Sequence, residues 1–77
     1  MEHIFEISYE YEVTPKGDPQ RNMSMGILPF RECDTITMKS TNVPTKTLIK
    51  GMIHKEWLTK RIDNRHILEV YTPELID

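Results

Sequence analysis

The chain has 77 residues, of which 38% are hydrophobic, and a formal net charge of −2. A chain this short holds one domain, and its core is too small to enclose a deep pocket as well, since ligand pockets take roughly 300 Å³ or more. That counts against an enzyme that engulfs its substrate. The single cysteine, Cys33, excludes an intramolecular disulfide. No apolar run reaches the roughly 20 residues of a membrane-spanning helix, and Met1 to Phe5 lacks the basic-then-apolar pattern of a secretion signal. The expectation is one compact cytoplasmic domain over residues 1–77 with no membrane partner.

Charge is unevenly spread. Residues 1–12 carry Glu2, Glu6, Glu10 and Glu12 and no Lys or Arg. Residues 39–65 carry seven basic side chains against Glu56 and Asp63. The chain is acidic at its start and basic in its later half.

Phe5, Ile7, Tyr9, Tyr11 and Val13 alternate with Glu6, Ser8, Glu10, Glu12 and Thr14. Strict period two with β-favouring residues predicts a long strand, apolar inside and acidic outside. Pro15-Lys16-Gly17-Asp18-Pro19 then makes a turn. Met23, Met25 and Ile27 alternate with Asn22, Ser24 and Gly26, which predicts a second strand hairpinned to the first. Pro29 closes it. Asp34 to Ser40 alternates again and predicts a third strand.

Asn42-Val43-Pro44-Thr45 starts a helix, with Thr45 as an alternative cap. Leu48, Ile49, Met52 and Ile53 recur at helical spacing, so the helix is expected from about Pro44 to about Lys60. Lys60 and Arg61 complement its macrodipole. Asp63-Asn64 is a turn. Arg65 to Thr72 predicts a last strand, with His66, Leu68 and Val70 facing one way and Ile67, Glu69 and Tyr71 the other. Pro73 ends it, and Glu74 to Asp77 forms a short tail. The expected fold class is α+β: a small two-layer sandwich with a mostly antiparallel sheet and one helix packed on one face, in the order β-β-β-α-β.

At 100° steps, Lys46, Lys50, His54 and Arg61 form a basic stripe beside the apolar arc, with Trp57 at the border. With Arg65 in the following turn, these residues are a candidate face for carboxylate or phosphate groups, Trp57 supplying a flat ring. The plainer reading is a solvated helix face and a tryptophan that finishes the core. Leu58 and Ile62 fall outside the arc: either the helix ends before them, or they face a second apolar surface, that of a partner or a symmetric dimer mate. Glu6, Glu10 and Glu12 form a second candidate surface for a basic partner. Their plainer role is to keep a strand face solvated and unaggregated. Met23, Met25, Met38 and Met52 could make an adaptable contact surface, but methionine more often fills core gaps.

Chemistry is poorly supported. Cys33 lies between Glu32 and Asp34, which would blunt a thiolate nucleophile. Cys33, His3, His54 and His66 lack metal-ligand spacing. The glycines at 17, 26 and 51 make no phosphate loop. No catalytic residue, metal or cofactor is expected. Two functions follow as expectations. One is a non-enzymatic protein-binding module (a regulator, adaptor or inhibitor, in size and composition like those of phages and mobile elements). The other is a nucleic-acid-binding domain for RNA or single strands, using Lys46, Lys50, Lys55, Lys60, Arg61 and Arg65 with Trp57, Tyr9 and Tyr11.

Overall fold

The computed structural model describes all residues, Met1–Asp77. The elements in chain order are β1 (His3–Val13), α1 (Pro19–Ser24), β2 (Phe30–Ser40), α2 (Lys46–Thr59), β3 (Arg65–Val70) and β4 (Glu74–Leu75). The centre of the sheet is β1. It pairs antiparallel with β2 along its whole length, from His3↔Ser40 to Val13↔Phe30. Its other edge takes β3 against Tyr9–Val13 and β4 against Phe5–Glu6. The two outer strands β2 and β3 therefore run parallel to each other, with β1 between them and α2 as the crossover.

The α+β architecture is as the sequence predicts, but the element order is β-α-β-α-β-β. The strand expected over Asn22–Ile27 does not form. Asp18 instead caps a helix: its side chain accepts from the Gln20 N–H at 3.0 Å, and Pro19 sits in the first turn. This short α1 buries none of its residues. Asn22 ties it back to the turn by donating from Nδ2 to the Lys16 carbonyl at 3.2 Å. The strand expected from Asp34 begins four residues earlier, at Phe30. The expected tail contains β4.

The core holds Phe5, Ile7, Tyr9 and Tyr11 of β1, Met38 of β2, Ile49, Ile53 and Trp57 of α2, and Ile67 and Val70 of β3. Two expectations about its lining need correction. In α2 the buried row is Ile49, Ile53 and Trp57, four residues apart each time, whereas Leu48 and Met52 are 50% and 40% exposed. One helix laid on a narrow sheet buries a single row, not a broad arc. In β3, Ile67 opposes Tyr11 while Glu69 opposes Glu10, so Leu68 is an extra residue. This bulge turns both Ile67 and Val70 inward, although they are three apart. Strict alternation placed them on opposite faces.

Thr45 caps α2, its Oγ1 accepting from the Leu48 N–H at 3.2 Å. Both helices end alike. In α1 the Gly26 and Ile27 N–H groups bond the Met23 and Asn22 carbonyls at 3.1 and 2.7 Å. In α2 the Arg61 and Ile62 N–H groups bond the Leu58 and Trp57 carbonyls at 3.1 and 2.8 Å. Each closure needs one residue of positive φ. Gly26 supplies it at 75°, but at α2 Arg61 adopts 59°. A side chain in that region is strained. Arg61→Gly is expected to raise stability by up to about 1 kcal/mol, and Gly26→Ala to lower it by a similar amount, read as opposite shifts of the urea midpoint.

Candidate functional site

The six basic and aromatic residues expected on the helix stripe and in the turn after it divide into four kinds. Lys50, His54 and Arg61 are exposed and make no ion pair. Lys46 is tied to Glu69, Nζ to Oε1 at 3.2 Å. Trp57 is only 5% exposed, so it is a core residue and offers no free ring face for stacking. Its row with Ile49 and Ile53 was the available signal. Tyr9 and Tyr11 are also buried, at 2% and 3% exposure.

Arg65 is half-buried and stands apart from the other cations. Its guanidinium carbon lies 4.7 Å from the Tyr11 ring centroid and 5.6 Å from that of Trp57. These rings form one aromatic cluster: Tyr11 and Trp57 meet edge to face at 5.4 Å, Tyr9 lies 6.3 Å from Trp57, and the His54 ring packs on Trp57 at 5.9 Å. The Tyr11 hydroxyl donates to Glu32 Oε2 at 3.1 Å. Arg65 also lines a polar cleft of 490 Å³, where the turn after β1 (Thr14 to Pro19) faces the turn before β3. The two turns are joined there. The Thr14 N–H donates to the Asn64 carbonyl at 2.8 Å, and Asn64 Nδ2 donates back to the Thr14 carbonyl at 2.9 Å.

On the sheet face away from α2, Glu6, Glu10 and Glu12 project together, by their alternation with the core residues of β1. The register adds to them. Glu74 lies directly opposite Glu6, and Glu69 directly opposite Glu10. Arg31, 3.8 Å from Glu10, and Lys46, 3.2 Å from Glu69, offset part of this charge. Cys33 is exposed and opposite Glu10 on the same face. His54 is on α2, across the sheet from it, and β1 separates Cys33 from His66, which opposes Glu12. No three His, Cys, Asp or Glu side chains come together in a metal-binding arrangement.

The remaining candidate surface is apolar, and the sequence reading gave its methionines, Met23 and Met25, a core-filling role in preference to a contact role. Met23, Met25, Ile27, Leu28 and Phe30 are all between 42% and 72% exposed. They run from α1 through the connection to the first residue of β2, at the Val13↔Phe30 end of the hairpin. An apolar hollow of 180 Å³ lies among them, between Pro15, Pro19, Met23, Ile27, Leu28 and Pro29. A second groove, of 390 Å³, runs between α2 and β2 past Ile36, Met52 and Thr59. The Asp18-Pro19 pair was the signal that this segment is helical and leaves its methionines outside. No helix is long and apolar enough to cross a membrane.

Comparison of the chain with protein-family models, with curated proteins and with solved structures gives no match.

Two outcomes follow from this electrostatic arrangement. Like charges directly opposed across strands cost a few tenths to about 1 kcal/mol, so Glu74→Lys is expected to raise stability by an amount in that range, read as a higher urea midpoint. Burial, first, pushes the Tyr9 and Tyr11 hydroxyls above their ordinary 10.0. Asp34 and Glu56 add to the shift at Tyr9 against the pull of the Trp57 indole, and the hydrogen bond to Glu32 adds to it at Tyr11 against the pull of Arg65. The unfolded chain therefore loses these protons first. Their contribution to stability is complete below pH 10 and falls as pH rises through the folded-state values. Denaturant midpoints measured from pH 8 to 11 should be flat and then drop above about 10, and a Tyr9→Phe, Tyr11→Phe double variant should lose much of that drop.

Proposed function

We propose that this chain is a non-enzymatic protein-binding module. The observation that carries the reading is the stretch Met23 to Phe30, where five large apolar side chains stand exposed in eight residues at one end of the molecule. Scattered exposed hydrophobics need no explanation, but a contiguous cluster marks a contact surface. Methionine is suited to such a surface because its flexible, polarisable side chain adapts to an irregular partner. The exposed apolar residues Leu48, Met52 and Leu58 on α2 extend the same argument to the helix. A regulator, adaptor or inhibitor role fits a chain of this size with no assembled catalytic group.

The second reading is nucleic-acid binding. The exposed cations Lys50, Lys55 and Arg61 favour it. Burial of Trp57, Tyr9 and Tyr11 removes the rings on which single-stranded bases would stack, and the opposite sheet face is acidic. It ranks behind the first.

Photo-crosslinking separates them. A crosslinking residue replaces Leu28, Lys50 or, as a control, Thr72 in the full chain, and each variant is exposed to native-host lysate with and without nuclease. One protein captured from position 28, surviving nuclease and varying little with salt, is the expected result. Capture that is lost with nuclease, or binding that falls linearly on a log–log plot against salt, would replace this reading with the nucleic-acid one. A Lys46/Lys50/Arg61→Glu triple variant that still captures the partner would take the helix stripe out of the interface. Crosslinks only to a second copy would make the surface a homodimer contact.

A further inference from the structure

Arg65 is held in place by aromatic packing and not by a carboxylate. Its guanidinium is packed over the faces of Tyr11 and Trp57. It has no carboxylate partner, and none of its N–H groups donates a hydrogen bond to another side chain or to backbone. A guanidinium held by aromatic rings instead of a carboxylate keeps its donors unpaired, and they form a fork matched to a carboxylate. Stacking also removes much of the rotamer freedom that a surface arginine would lose on binding. The residue lines a polar cleft large enough for a carboxylate and part of the chain that bears it.

The charges around the cleft limit what it can take. Lys16, Asp63, Arg65 and His66 line it, and Lys16 is already shared with Asp63 at 3.6 Å. Lys16 and Arg65 against Asp63 leave a single net positive charge among the lysine, arginine and carboxylate groups. That suits a singly charged carboxylate. A phosphate near neutral pH carries between one and two charges and would meet Asp63 across the same cleft.

We propose that this cleft is a recognition site for a side-chain or terminal carboxylate of a partner protein, with Arg65 as the residue that receives it. The inference rests on the protein-binding reading and gives that reading a second, polar contact beside the Met23 to Phe30 cluster, whose apolar hollow shares Thr14, Pro15 and Pro19 with the cleft. The stacked arginine sets orientation, and Lys16 and His66 on the cleft walls supply further donors.

The test uses the full ¹⁵N-labelled chain at constant ionic strength. It is titrated with acetate, with inorganic phosphate and with a capped peptide containing two glutamates. The Arg65 Nε–H and Trp57 indole N–H resonances are followed, together with emission from Trp57, the single tryptophan. The expected result is a saturable shift of both resonances with acetate and with the peptide, at lower concentration for the peptide. Arg65→Lys, which keeps the charge but loses the fork, should weaken peptide binding about tenfold or more, while Lys50→Gln leaves it unchanged. No saturable shift at Arg65 in the wild-type chain would overturn the proposal. So would a response to phosphate at lower concentration than to either carboxylate, or an equal loss with Lys50→Gln. The crosslinking experiment keeps the two ideas separate. Partner capture from position 28 that is unaffected by Arg65→Lys removes the carboxylate site and leaves the binding module standing. An Arg65 response without any captured protein does the reverse.

Discussion

The structure depends on a mismatch of lengths. Strands of eleven residues, as in β1 and β2, extend about 37 Å. A helix of fourteen residues, as in α2, extends about 21 Å. One helix cannot cover that hairpin. It presses one row, Ile49, Ile53 and Trp57, onto β1 and β3 and leaves the outer part of β2 bare. Glu32 and Asp34 share the helix-side face of β2 yet stand in solvent. The molecule is accordingly long, 53 × 21 × 17 Å, with a radius of gyration of 15.3 Å, whereas a compact chain of this length would have about 11 to 12 Å. Apolar residues beyond the reach of α2 have no layer to pack against, which is why the Met23 to Phe30 cluster is exposed.

Where the helix ends, the core is closed by polarised contacts. Trp57 and Tyr11 meet edge to face, Arg65 lies over both, and Tyr11 bonds Glu32. Cation–π packing adds roughly 0.5 to 2 kcal/mol depending on desolvation, so the arrangement stabilises the end of a small core while holding a charged group near the surface. Of these residues Arg65 both finishes the fold and lines the polar cleft. The strained Arg61 lies between them in sequence, in the turn that leads from α2 to Arg65. That strain has a structural consequence: it permits the chain reversal that returns Ile62 to the core edge.

The two sheet faces follow different rules. On the helix side, alternation along β1 is set by burial, and each inward residue is apolar. On the far side burial is incomplete, so carboxylates are allowed to face one another, as at Glu6 and Glu74. Only the strand pairing brings those two together from opposite ends of the chain. The pairing therefore makes the acidic surface larger than the three glutamates of β1 alone.

The sequence by itself determined β1 with its inward and outward faces and the existence and extent of α2. These rest on local periodicity over ten or more residues, which no distant contact overrides. Shorter signals were ambiguous. Met23, Met25 and Ile27 alternate as a strand would, yet the Asp18 cap and Pro19 make the segment helical because no neighbouring strand rewards extension there. The depth of Trp57 and the inward turn of both Ile67 and Val70 were decided by tertiary structure. A helix row is buried only where a sheet meets it, and the Leu68 bulge exists only in relation to the residues of β1 that it faces. Likewise Arg65 is one of ten basic residues in the sequence. It becomes distinct only when the fold brings Tyr11, from 54 residues earlier in the chain, beneath its guanidinium.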